Sequence, residues 1–310
     1  MLVALEGAPG SGVSNIADTL CSDFKFTLLS YVDSTPSNNY EFNDATTLLD
    51  YITTNWLDNM VIYNISSHIP DFSDFMKRPF VLLVTVDSSI HTKFERSEIT
   101  SLSKFCEITD DYYNSINSKT FKFTDNAKLH LINNTSNQTS LLKNLKKIDL
   151  LNVHRLRPDW DSYFMSFTDL AAMRSNCMKR KVGCVIVKDN RVLATGYNGT
   201  PRGFTNCNEG GCHRCNHPLE SGPLSTCLCL HAEENALLEA GRSKVETGSI
   251  LYCNTCPCLT CSIKIVQVGI KEVIYSQSYN MDQLSKKIFT EAGVTIRQFT
   301  PPSYGTIILE

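Results

Sequence analysis

His231-Ala232-Glu233, followed later by Pro257-Cys258-Leu259-Thr260-Cys261, is the stretch around which the rest of the chain is read. A histidine and two cysteines can hold a zinc ion through three protein ligands. That leaves a fourth position for water, whereas a structural site closes it. Glu233, two residues past the histidine, is the candidate proton carrier, and for that task its carboxylate must stay off the metal. Cys258 and Cys261 stand one helical turn apart, so both thiolates project from one face. Pro257 suits the first position of that helix, where no N–H donor is needed. A closed zinc site without chemistry, or cysteines that simply pack, is the plainer reading of a bare Cys-x-x-Cys. The His-x-Glu upstream, also at a helix start, favours a catalytic ion. Glu234 points to another face and is assigned no role.

Outward from this stretch the pattern is regular. Asp159 or Asp161 caps a helix expected to run through Asn176. Val182–Lys188 is a strand, Asp189-Asn190 a two-residue turn, and Arg191–Gly196 the returning strand. Beyond a cysteine-rich loop, a helix is expected over Leu230–Ala240, stopped by Gly241. Ser249–Cys253 and Glu272–Ser276 read as strands, Cys258–Val268 and Met281–Ala292 as helices, and Val294–Arg297 as a last strand. Alternating strands and helices imply a mixed sheet with helices on both faces.

In the first half, Leu2-Val-Ala-Leu-Glu6 is a buried strand leading into Gly7-Ala-Pro-Gly10-Ser-Gly12-Val13-Ser14 and then a helix. Strand, glycine-rich turn, helix is where a phosphate-binding loop makes sense, because backbone N–H groups face the anion. The lysine that would neutralise the outer phosphates is replaced by Val13. Phe80–Val86 is a second buried strand. The Asn-, Ser-, Thr- and Lys-rich stretch 114–147 contains a polar loop or linker, and a boundary is expected near residues 150–157.

The 310 residues allow two domains, and the formal charge of -3 argues against a nucleic-acid-binding surface as the main function. Nothing approaches the ~20 apolar residues of a membrane span, and the N-terminus lacks the pattern of a signal peptide. Of thirteen cysteines, eleven fall between Cys177 and Cys261. With no secretory signal, this clustering reads as metal binding in the cytosol or nucleus.

His-x-Glu with Pro-Cys-x-x-Cys is an established signature of zinc nucleobase deaminases. Around it stand Trp160 with Tyr163-Phe-Met165, Arg174-Ser-Asn-Cys177, Val182-Gly-Cys-Val185, Gly196-Tyr-Asn-Gly199-Thr-Pro201 and Gly269-Ile-Lys-Glu-Val273. Together, over about residues 158–299, they resemble the deoxycytidylate deaminases, most of all the fungal form. The resemblance implies a cytidine-deaminase-like fold over residues 157–300 and hydrolytic conversion of dCMP to dUMP for thymidylate synthesis. It also implies a hexamer, activated by dCTP with magnesium and inhibited by dTTP, with Asn198 contacting the substrate. The plainer reading of Asn198 is a turn residue beside Gly199. The first half resembles a degenerate dephospho-CoA-kinase-like domain over residues 1–150, an α/β unit either kept as a structural or regulatory remnant or still binding a nucleotide. Kinase activity is not expected.

A second, structural zinc would order the polar, glycine-rich loop Cys207–Cys215. Some phage relatives carry such a site, and Cys177 and Cys207 match its first two ligands; Cys212, Cys215 and Cys229 are further candidates. Free buried thiols are the alternative. Cys253 and Cys256 read as bystanders and Cys184 as core. Two rival functions stay open: a zinc deaminase acting on nucleosides, RNA or a pterin-like ring, and a non-catalytic, zinc-stabilised nucleotide-binding regulator.

Overall fold

The structure, a computed structural model, describes residues 1–66, 68–69, 71–114, 125–217, 226–245, 248–278, 282–302 and 304–310. Part of the polar stretch (115–124) and Met281, the expected start of the last helix, lie outside the described residues. The chain divides into two compact units, Met1–Arg157 with Ser303–Glu310, and Pro158–Pro302.

The first unit is built from β1 (Leu2–Glu6), α1 (Val13–Phe24), β2 (Thr27–Leu28), β3 (Ser30–Tyr31), β4 (Glu41–Phe42), α2 (Ala45–Thr54), β5 (Met60–Tyr63), α3 (Ser73–Met76), β6 (Val81–Asp87), α4 (Ile90–Arg96), α5 (Leu102–Asn114), β7 (Leu129–Asn133) and α6 (Gln138–Lys147). Its main sheet is parallel throughout, with β2, β5, β1, β6 and β7 in order and the chain's last strand, Gly305–Leu309, beside β7. A sheet buried on both faces needs near-continuous apolar strands, and Leu2-Val-Ala-Leu5 and Val81-Leu-Leu-Val84 supply them. Alternate side chains serve opposite faces. Val3, Leu5, Leu82 and Val84 join Ile16 and Leu20 of α1 and Leu141 of α6. Leu2, Ala4, Val81 and Leu83 join Leu48 and Ile52 of α2 and Phe75 of α3.

The glycine-rich turn of this unit carries Gly10 and Gly12 at φ 77° and 86°, a left-handed backbone that glycine adopts without steric cost. Its surroundings are filled by the chain itself. A Cβ on Gly10 would lie 2.1 Å from the Lys93 carbonyl oxygen. The Arg96 guanidinium donates to the carbonyls of Asn133 and Thr135 at 2.9 and 2.7 Å, and reaches that of Ser11 at 3.5 Å. Val13, at the missing lysine's position, is buried in the core below α1.

The second unit begins with α7 (Trp160–Ala172), whose first turn is capped by Asp159 accepting from the Ser162 N–H at 2.7 Å. The helix stops at Ala172, short of the expected Asn176. Three-residue turns at Arg174 and Ser175 tighten its end, and the Ser175 hydroxyl leaves the helix to bond Asn198. Then come β8 (Gly183–Lys188), β9 (Arg191–Tyr197), the one-turn α8 (His213–Asn216), α9 (Ala232–Ala240), β10 (Ile250–Thr255), α10 (Leu259–Val268), β11 (Glu272–Gln277), α11 (Asp282–Glu291) and β12 (Thr295–Gln298). The sheet order is β12-β11-β10-β8-β9, with β8 antiparallel to both neighbours and the other pairs parallel. The hairpin turn, Asp189-Asn190, holds both residues at positive φ (48° and 58°), the geometry that matches a two-residue turn to strand twist.

Helices cover both faces of this sheet. Phe164 and Met165 of α7 pack on Val185, Val187, Tyr252 and Ile274. Ala232 and Ala236 of α9, Ile265 of α10 and Phe289 of α11 pack on Cys184, Ile186, Cys253 and Val273. Gly196 lets α9 lie directly on β9: a Cβ there would be 2.2 Å from the Ala232 carbonyl oxygen. That close approach sets where the helix begins, and with it where His231 stands.

Candidate active site

His231 is the N-cap of α9 and Cys258 the N-cap of α10, each in extended backbone. Pro257 was expected as the first helical residue; it lies two positions before that residue, because Cys258 (ψ 168°) is the N-cap and the helix begins at Leu259. The consequence is favourable for the site. A cap residue and the residue three later, here Cys258 and Cys261, flank the same opening of the first turn. Their sulfurs lie 3.3 and 3.4 Å from the same atom, His231 Nδ1.

That spacing fits a metal. Around a tetrahedral zinc, nitrogen and sulfur ligands at roughly 2.0 and 2.3 Å stand roughly 3.6 Å apart. The three ligand atoms lie within 4.8 Å of one another, and Glu233 is not among them. Electrostatics point the same way. A hydrogen bond from Cys261, with a second from His231, holds the Cys258 thiol down to about 3. Cys258 in turn raises the His231 imidazole above its ordinary value. Holding a divalent ion, both cysteines would be thiolates and the imidazole neutral.

Glu233 occupies the second helical position and is 4% exposed. Burial pushes its carboxyl above the ordinary value, the direction needed by a group that must both take and give a proton near neutral pH. It borders a cleft of about 390 Å³ lined also by His231, Cys258, Thr255, Asn198, Lys179 and Arg180.

Glu234, assigned no role from sequence, has one. Its carboxylate accepts the His231 backbone N–H at 3.0 Å and pairs with Lys264 of α10. One side chain thus caps the helix that carries His231 and ties it to the helix that carries both cysteines. A Glu three residues after the cap is the capping-box signal that could have revealed it. The partner Lys264 had no local signal.

Asn198 lies at the end of β9, and Gly199 pairs with Leu230 through two backbone hydrogen bonds, which brings Asn198 beside His231. Its amide oxygen accepts from the Ser175 hydroxyl at 2.7 Å and the Val182 N–H at 2.9 Å. Its amide nitrogen donates to the Arg180 carbonyl at 2.8 Å. The residue therefore clamps the segment 175–182, which carries Lys179 and Arg180 to the cleft.

The other cysteines gather in one place. Cys177, Cys207, Cys212, Cys215, Cys227 and Cys229 form a cluster with no aliphatic or aromatic member among the described residues. Cys227 was absent from the sequence-based ligand set; its proximity to Cys215 (3.5 Å between sulfurs) exists only in the fold. Burial pushes the Cys177 thiol up, but the N–H groups of Lys179 and Arg180 outweigh it and hold the thiol below its ordinary value. Cys212 is likewise held down to about 6, by the N–H groups of Leu228 and Cys215 against burial. Cys184 and Cys253 are fully buried core.

Comparison with known proteins gives the family. Residues 158–277 match the family model for the cytidine and deoxycytidylate deaminase zinc-binding region. The chain is 55% identical over 265 residues to the deoxycytidylate deaminase of Schizosaccharomyces pombe, covering 82% of this chain and 81% of that one. It is 42% identical over 320 residues to that of Saccharomyces cerevisiae, covering 97% of both. Among solved structures, the dCMP deaminase of cyanophage S-TIM5 in complex with dCMP and dUMP is 35% identical, covering 46% of this chain and 98% of that one, with a TM-score of 0.38.

Proposed function

This chain belongs to the deoxycytidylate deaminases, zinc-binding hydrolases that convert dCMP to dUMP, and from that premise we propose how its residues share the work. His231, Cys258 and Cys261 hold the catalytic zinc. The ion, when bound, supplies a water polarised for attack at neutral pH. The Glu233 carboxylate takes a proton from that water as its oxygen bonds to C4 of cytosine, and delivers the proton to ring N3. It then carries a second proton, taken from the hydroxyl now on C4, to the departing amine, so that the C4–N bond breaks, ammonia leaves and the C4 carbonyl forms. Glu234 positions the two ligand helices. Asn198 positions the segment 175–182, and the cations on it, Lys179 and Arg180, face the 5′-phosphate across the cleft.

The observation that carries this reading is the convergence of three zinc-ligand atoms and a buried glutamate on one cleft. The remaining elements of the proposal are supported by resemblance to the family. The enzyme is activated by dCTP with Mg2+, inhibited by dTTP and assembled as a hexamer, and a second zinc orders the cysteine cluster. The first unit, with its strand, glycine-rich turn and helix, is a phosphate-binding-loop domain that has lost its lysine. Its place is the cytosol or nucleus, where reducing conditions keep the cysteines as thiols. No helix among the described residues is long and apolar enough to cross a membrane.

The test is turnover of dCMP, deoxycytidine and CMP by the full chain, with and without dCTP, Mg2+ and dTTP. Strong preference for dCMP is expected. Comparable rates on nucleoside and nucleotide would overturn the assignment of Lys179 and Arg180, and indifference to both effectors would overturn the regulation.

A further inference from the structure

Six sulfurs in the cysteine cluster do not form one compact group. They form two groups of four, Cys177, Cys207, Cys215 and Cys229, and Cys212, Cys215, Cys227 and Cys229, each with every sulfur within 4.8 Å of the rest. The two groups share Cys215 and Cys229. A single tetrahedral zinc takes four thiolates and would strand two of the six, either Cys212 with Cys227 or Cys177 with Cys207.

The distances are those of thiolates around metal ions. Sulfurs roughly 2.3 Å from a tetrahedral zinc lie roughly 3.8 Å apart. The contacts here are 3.9 Å for Cys177 to Cys215, 3.8 Å for Cys212 to Cys227, 3.5 Å for Cys215 to Cys227 and 4.0 Å for the shared pair. A disulfide would need about 2.0 Å. Packing of neutral thiols does not account for the cluster either, because among the described residues no Leu, Ile, Val or Phe joins it. Burial of a few sulfurs is a weak force with which to hold so polar and glycine-rich a loop.

Donors are already aimed at sulfur in both groups. The Met178 N–H and the Asn216 amide donate to Cys207, at 3.5 and 3.9 Å, and the Leu228 N–H donates to Cys212 at 3.4 Å. These three fall on cysteines that belong to one group only. Among the described residues, the contacts of the shared Cys215 and Cys229 sulfurs are to other sulfurs. Terminal thiolates, which keep free lone pairs, need such donors. A thiolate bridging two ions has less charge left to satisfy.

We propose that the cluster is a binuclear zinc–thiolate site: one ion held by Cys177 and Cys207, a second by Cys212 and Cys227, and both bridged by Cys215 and Cys229. Two divalent ions offset four of the six thiolate charges and release the thiol protons to solvent. The proposal rests on the reading that this cluster binds zinc at all, and raises its ligand number from four to six. It also gives the cluster a place in the active site. Cys177, Cys215, Cys227 and Cys229 line the cleft, and Cys229 lies two residues before His231, so the site anchors the segment that delivers the catalytic ligand.

Zinc per chain, measured by mass spectrometry of metal content on the purified full-length protein, tests it, together with 113Cd NMR of the cadmium-exchanged protein. About three ions per chain are expected, with two all-sulfur cadmium resonances coupled to each other through the shared thiolates. Three ions without that coupling would overturn the shared ligands. Two ions, with two cysteines open to a thiol reagent, would overturn the binuclear site and leave a single structural zinc standing. One ion would overturn both.

Discussion

Each unit of this protein ends a buried strand at the start of a helix, and among the described residues the two differ in what stands there. In the first, β1 runs into the turn at Gly7–Ser14 and α1. The position for a phosphate-neutralising cation is Val13, buried in the core, and Arg96 and the Lys93 backbone close over the turn. In the second, α9 and α10 open onto a cleft, and their cap positions carry His231 and Cys258. Backbone geometry at a helix N-terminus is generic and attracts anions in both places. The difference lies in which side chains stand at the cap, and in whether the surrounding chain leaves room for a ligand.

The sharpest way to press that comparison is Glu233→Gln. It preserves shape and ligands, so zinc content should be retained while kcat for dCMP falls by roughly 10²–10⁴-fold. An active variant that keeps its zinc would remove Glu233 from the chemistry. Next is Glu234→Ala, which removes the acceptor of the His231 N–H and the link to Lys264. Zinc affinity, measured by competition with a chelator, should fall roughly 10–100-fold, and Glu234→Gln, which can still accept the N–H, should restore part of it. Equal loss in both would make the ion pair the only contribution.

Val13→Lys tests the other side of the comparison. It restores the motif letter but must place an ammonium at a position 4% exposed. The expected result is a loss of about 1–3 kcal/mol in stability and no gain in ATP affinity by calorimetry. A gain would mean that the turn lacks only its lysine and that the packing around it is no obstacle.

The smallest expected effect concerns Glu6, at the end of β1. Burial raises its carboxyl above the ordinary 4.5 despite hydrogen bonds from Ser66 and Tyr112. Its folded-state value is therefore the higher one, so the folded state binds the proton more tightly. The contribution is fully present below pH 4.5 and is lost as pH rises through the folded value. Glu6→Gln should flatten the fall in denaturation midpoint as pH rises above 4.5. An unchanged slope would mean that the hydrogen bonds already offset the burial.

Much of the second unit was legible residue by residue. Strand and helix positions followed from apolar runs, from Asp189-Asn190 as a turn and from Gly241 and Gly269 as stops, because such signals act within one turn or one hairpin. The end of α7 was misplaced by four residues because Ser175 is drawn off by Asn198, distant in sequence. The strand Gly305–Leu309 was not anticipated either. Its pairing with β7 joins residues 176 apart, in the register Gly305↔Leu129, and no local pattern records which edge a short apolar strand will choose.

From its letters alone the protein declared its family, a candidate zinc triad and a candidate proton carrier, since ligand spacing along a helix is local geometry. Tertiary structure decided the rest. It gave Asn198 a clamping role and Glu234 a strut to Lys264, and it brought Cys227 into a cluster of six sulfurs whose two groups of four share two. Those outcomes depend on which loops close against one another. Loop closure is settled by the packing of the whole unit, and the loop's own residues do not encode it.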